Sequence, residues 1–156
     1  MRHCAALEWV GAGGYQVCLG RWSPENLRRA WDARNKSDLK AAITYYQKAI
    51  AIDPEFCAAL NDLGTAYLQT DQLDLAIEQF NKAIVVDAHA AKPNSDLAIA
   101  YLRQDRYDNA ERAARRALDL DRVSTHGHLA LGISLVLQEK LTAEGDRQLE
   151  FIAASH

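Results

Sequence analysis

Apolar and small residues recur at intervals of three and four along most of this chain, most clearly over residues 57–90. Leu60, Leu63, Gly64 and Tyr67 share one face of a helix, because a turn takes 3.6 residues. Leu73, Ala76, Ile77, Phe80, Ala83 and Ile84 do the same a little further on. The pattern predicts one helix over roughly 57–70 and a second over roughly 72–86, antiparallel and packed face to face. Gly64 and Ala76 are small so that the two backbones can come close, and Tyr67 and Phe80 fill the wider parts of the gap.

The same pattern returns every 34 residues. Stepping from Gly64 gives Ala30, Ala98 and Gly132, all small. The preceding position holds Leu63, Leu97 and Leu131, with Arg29 as the exception. Three residues after the anchor come Ala33, Tyr67, Tyr101 and Leu135. Ala42, Ala76 and Ala110 keep register, as do Tyr46, Phe80 and Ala114, and Ala49, Ala83 and Ala117.

In these residues the chain resembles the tetratricopeptide-repeat (TPR) family. The best copy carries Leu60, Leu63-Gly64, Tyr67, Ala76, Phe80 and Ala83, with Ala88 where the family usually has proline. The resemblance implies an all-α fold, a right-handed superhelical solenoid of antiparallel helix pairs. It implies three clear repeats, 23–56, 57–90 and 91–124, plus an irregular fourth, 125–156, behind a leader over 1–22. The family's pattern is made of packing residues, so it speaks to fold more than to function.

Turn chemistry agrees with this division. Ser37, Asp71 and Asp105 fall where the first helix of a pair stops. Asp tolerates the left-handed conformation and can cap the following helix. Ser23-Pro24 reads as an N-cap followed by proline at the first helical position. Asp53-Pro54 closes the first repeat, and Asp87-Ala88 and Asp121-Arg122 recur in its place.

The ends are irregular. Asn26 and Arg29 stand where the first helix should be apolar, which predicts weaker docking. Glu144 and Gln148 replace small and aromatic packing residues in the fourth repeat. Two readings fit: residues 142–153 form an atypical polar cap, or the chain is a fragment of a longer array. The leader fits disorder, a mis-assigned start, or a segment folded across the first repeat that buries Trp9 and Trp22.

Composition narrows the function. The net charge of -3 argues against a general nucleic-acid or anionic-membrane binder. No apolar run approaches the length of a membrane-spanning helix, so no membrane insertion is expected. Cys4, Cys18 and Cys57 are odd in number and lack CxxC spacing, which points to reduced thiols in a cytoplasm. The small, alanine-rich repeats have a bacterial style.

Candidate chemistry is thin. Gly11-Ala12-Gly13-Gly14 lacks the third glycine and the flanking strand of a dinucleotide loop. His126 and His128 are two apart, the wrong spacing for zinc on one helix face, and read as capping or surface residues. Ser134 lies inside an apolar helix without a nucleophile elbow, and Cys57 has no identifiable base. Arg112, Arg115 and Arg116 form a stripe that could meet phosphate, but Asp108, Glu111 and Asp119 at i,i+4 favour a solvated face. No catalytic residue, metal site or cofactor is expected, and no enzyme complete within these residues.

The resemblance implies that the first helix of each repeat lines a concave groove. The positions free of packing duty are Leu27, Trp31 and Arg34 in repeat one, and Asn61, Asp62, Thr65, Leu68 and Gln69 in repeat two. Ser95, Asp96, Ile99, Leu102 and Arg103 follow in repeat three, and Leu129, Ala130, Ile133 and Val136 in repeat four. The apolar far end reads either as a partner contact or as a surface covered by a following helix or a second copy. Chaperone-binding relatives hold a peptide carboxylate at positions that here carry Leu27, Trp31, Asp62, Lys92 and Asp96; only Lys92 suits that task. The asparagine ladder of sugar-transferase relatives is broken, since Asn61 steps to Leu27 and Ser95. The expected function is an interaction module, a scaffold or adaptor for a protein or peptide of unknown identity. Alternatives are a regulatory or substrate-docking segment of a larger enzyme, and a homo-oligomerisation module pairing through the C-terminal repeat.

Overall fold

A computed structural model describes residues 24–138 and 143–154. Among the described residues the chain forms eight α-helices: α1 (Pro24–Asn35), α2 (Leu39–Ile52), α3 (Cys57–Gln69), α4 (Leu73–Val86), α5 (Ala91–Arg103), α6 (Tyr107–Leu120), α7 (Thr125–Leu137) and α8 (Ala143–Ala154). Each helix packs on its neighbours in sequence, while α5 also touches α3 and α7. The odd-numbered helices therefore run along one side of the stack. The leader, the Ser23 cap, Trp9 and Trp22 lie outside the described residues, as does the loop before α8.

The repeat register holds. Ala30, Ala42, Ala49, Ala76, Ala83, Ala98, Ala110, Ala114 and Ala117 are fully buried, as are Tyr46 and Phe80. One detail differs from expectation. Gly64 makes room for a side chain, not for a backbone: a Cβ there would lie 2.6 Å from Cε1 of Phe80. Repeat three reaches the same interface differently, with Ala98 and Ala114 at the corresponding positions and both buried. In α1, Leu27, Ala30 and Ala33 face the core. Arg29 stays outside, paired with Glu25 at 2.5 Å and set over the Tyr45 ring.

Two turn types alternate. Inside each pair the chain reverses through Ser37, Asp71 and Asp105, whose φ values of 61°, 62° and 57° are left-handed. The next residue's N–H then returns to the helix just ended: Asp38 to Ala33, Gln72 to Tyr67 and Arg106 to Tyr101, each at 2.9 Å. Asp71 and Asp105 do not cap the next helix, because the left-handed residue sits one position before the N-cap. Gln72 and Arg106 stand at the caps of α4 and α6 without a side-chain bond, and of these three turns only the one at Asp38 supplies a side-chain cap, accepting from Ala41 N–H. Between pairs, Asp53, Asp87 and Asp121 end α2, α4 and α6 in extended geometry. Their Oδ1 atoms accept the N–H of Glu55, His89 and Val123 at 3.2, 2.9 and 3.1 Å. This side-chain turn does the work that proline does at only one of the three sites.

Candidate functional site

The face carried by the odd helices begins at Trp31, which is half-buried on α1. One turn later Arg34 crosses to α3, its Nη1 lying 3.5 Å from Oδ1 of Asp62. Asn61, the neighbour of Asp62, points the other way along the stack. Its Nδ2 donates to Oδ2 of Asp96 on α5 at 3.3 Å. Lys92 reaches the same oxygen at 2.7 Å from one turn earlier on α5. A polar network thus runs through the first three repeats.

These side chains differ sharply in exposure. Asn61 is 4% exposed, Ser95 2% and Asp96 8%, so they form the floor of the face. Ser95 Oγ donates to the Lys92 carbonyl, and Thr65 Oγ1 to the Asn61 carbonyl, each within its own helix. Leu27 and Ala130 are buried as well. Thr65, Leu68, Ile99, Leu102, Leu129 and Ile133 are half-buried, and Gln69, Arg103 and Val136 stand outside. Arg103 ties repeats two and three together, donating to the Leu68 carbonyl and to Asp71, both at 2.6 Å.

Burial pushes the Asp62 carboxyl above the usual carboxylate range. Asp96 adds to the effect, whereas Arg34 and Lys92 pull against it without cancelling it. Asn61 Oδ1 is buried with no hydrogen-bond partner among the described residues. The face is therefore rich in acceptors at the seam between α3 and α5.

Other candidates resolve into packing. The arginine stripe satisfies itself: Arg112 donates to Asn109, Arg115 to Glu111 and Arg116 to the Ala88 carbonyl. Ser134 is fully buried and donates to the Leu131 carbonyl, while the Cys57 thiol points at the Ala83 carbonyl. His126 is exposed. His128 is the exception, because it joins α7 to the last helix. Its Nδ1 meets Gln148 Oε1, its Nε2 lies 2.9 Å from the Arg122 carbonyl, and its ring centroid is 4.0 Å from that of Phe151. Sequence reading also passed over Gly127, where a Cβ would come within 2.9 Å of Leu118 on α6.

The links across the face were missed by reading positions one at a time. A signal did exist: Asn61 and Asp96, and Arg103 and Leu68, are each 35 residues apart, close to one repeat. Complementary groups at that spacing are the sequence trace of contacts between stacked repeats.

A tetratricopeptide-repeat family model matches residues 27–96 and 95–150. No curated protein sequence matches the chain. Among known structures it is similar to a crystal structure of MamA protein, with 25% identity and a TM-score of 0.74, covering 83% of this chain and 70% of that one. A second MamA crystal structure is similar at 28% identity and a TM-score of 0.68, covering 78% and 69%. The first TPR domain of Spaghetti (RPAP3), bound to the HSP90 peptide SRMEEVD, shares the fold at 17% identity and a TM-score of 0.69, covering 70% and 87%.

Proposed function

Because the chain belongs to the tetratricopeptide-repeat family, we propose that it is a protein–protein interaction scaffold that holds a partner segment along the face of its odd helices. The observation that carries this reading is the row of half-buried apolar residues, Trp31, Leu68, Ile99 and Ile133, one from each repeat. Trp31, Ile99 and Ile133 hold the same place in repeats one, three and four, and Leu68 stands about one turn beyond that place in repeat two. Apolar side chains set beside polar groups in this way suit an extended or helical segment laid across the stack. Trp31 is the anchor, since partly exposed aromatic residues contribute most when a partner covers them. In this reading residues 23–156 are the binding domain. The function is binding and not catalysis, and the odd cysteine count with a buried thiol at Cys57 supports a cytoplasmic setting.

The test is recovery of partners from source-cell lysate by the wild type and by a Trp31→Ala/Asp62→Lys variant. A partner held by the wild type and lost by the folded variant supports the face as the binding site. Equal recovery by both removes it. A second reading has its own observation: Val136 and Leu137 on α7 are 47% and 50% exposed, and pairing of two chains through repeat four would cover them.

A further inference from the structure

We propose that the seam formed by Asn61, Asp62 and Asp96 receives a cationic side chain of the bound segment, arginine in preference to lysine, which takes the place of Lys92. The inference rests on the odd-helix face being the partner site, and it names the chemistry that face selects.

Asn61 and Asp96 touch at this seam, Asp62 lies close enough to feel the charges of Asp96 and Lys92, and the chain's own donors leave the three acceptors short. Asn61 has its amide nitrogen committed to Asp96, which fixes the orientation of the amide. Its Oδ1 is then a buried acceptor without a donor among the described residues, a condition that costs free energy until a donor arrives. Asp96 takes both of its hydrogen bonds on Oδ2, leaving Oδ1 without one among the described residues. Asp62 has one hydrogen-bond partner among the described residues, Arg34, at the long distance of 3.5 Å. The rise in the Asp62 carboxyl above its ordinary range has the same meaning: two nearby cations do not offset its burial.

Lys92 is the group most easily displaced. Its side chain is 64% exposed, whereas that of Asp96 is 11% exposed. An exposed ammonium holds a carboxylate weakly. A guanidinium offers five donors in a fixed fork and can serve several acceptors at once, which a single ammonium cannot do as well. An anionic segment would meet two carboxylates and an amide oxygen. The cations beside them, Arg34 and Lys92, are already engaged.

The test begins with short random peptides displayed as fusions, so that none carries a free terminal carboxylate, selected on the wild-type chain. Selected sequences are then synthesised with blocked ends and titrated against four chains: wild type, Lys92→Met, Asp96→Asn and Trp31→Ala. Circular dichroism checks that each variant is folded. The expected ligands share an arginine, and replacing it by glutamine weakens binding to the wild type about tenfold or more, the size of one charged hydrogen bond. Lys92→Met binds them more tightly than the wild type, because the competing cation is gone. Asp96→Asn loses most of the preference for arginine over glutamine. Ligands that lose binding to Trp31→Ala, yet share an acidic residue or are weakened by Lys92→Met, overturn the cation seam and leave the face as the partner site. Ligands that bind Trp31→Ala as well as wild type, or a selection that yields no ligand, overturn the face itself and the seam with it.

Discussion

The ring of Phe80 on α4 packs against α3 at Gly64, so close that an added Cβ would sit 2.6 Å from Cε1 and 2.7 Å from Cδ1. Phe80 is fully buried and cannot swing away. The pair sets the spacing of the second repeat.

Gly64→Leu therefore overpacks this contact and is expected to destabilise the fold by about 1–3 kcal/mol or more. Gly64→Ala should be destabilising alone and less so beside Phe80→Ala, since Ala98 and Ala114 occupy these positions in repeat three. Urea unfolding of the two single variants and the double variant closes the cycle. Strict additivity would mean that the two residues do not oppose each other.

The turn aspartates contribute by equal chemistry at three places. Asp87→Ala removes the acceptor of the His89 N–H, and a loss of about 1 kcal/mol is expected. Asp53→Ala and Asp121→Ala should cost similar amounts, because each removes one bond of the same kind. Thermal melting of the three variants is the check, and a cost confined to one site would deny them a shared role.

Asp62 links stability to pH with a definite sign. Its folded carboxyl binds its proton more tightly than the unfolded one does. Ionisation therefore opposes folding above the folded pKa, and this penalty fades as pH falls through that value. Asp62→Asn, which can still accept from Arg34, is expected to be more stable than wild type at neutral pH. The advantage should shrink toward zero under acid, in urea titrations run at stepped pH. A variant that is less stable at neutral pH would show that the Arg34 pair outweighs burial.

His128→Ala should loosen the last helix and little else. It removes the contacts to Gln148 and Phe151 on α8, at an expected cost of about 1 kcal/mol. In a stack, each element depends mainly on its neighbours. Amide hydrogen exchange should therefore quicken in α8 and stay unchanged in α1–α4. Faster exchange throughout would mean that the stack unfolds as one unit.

Much of the architecture is legible in the sequence. The helix pairs, their 34-residue step, the left-handed turn residues and the alanine-lined interfaces are local matters. Each follows from a residue type at a fixed place in one repeat: no other residue has to be known to see why Asp71 turns the chain or why Ala83 is small. The odd-helix face was legible only as a set of positions, because spacing shows which residues are free of packing inside a pair.

What those residues then do was decided by how one repeat sits on the next. Asn61, Ser95 and Asp96 became a buried floor, while Gln69 and Arg103 remained outside. Arg34 met Asp62, Asn61 met Asp96, and His128 met Gln148. Leu118 closed over Gly127. Each of these contacts depends on the rotation and shift between successive elements, which no single residue encodes. The sequence alone thus determined the unit and its period, because helix periodicity and turn chemistry act within a few residues. Tertiary structure alone decided the floor and the acceptor-rich seam, because burial and charge pairing between repeats depend on the distances that stacking creates.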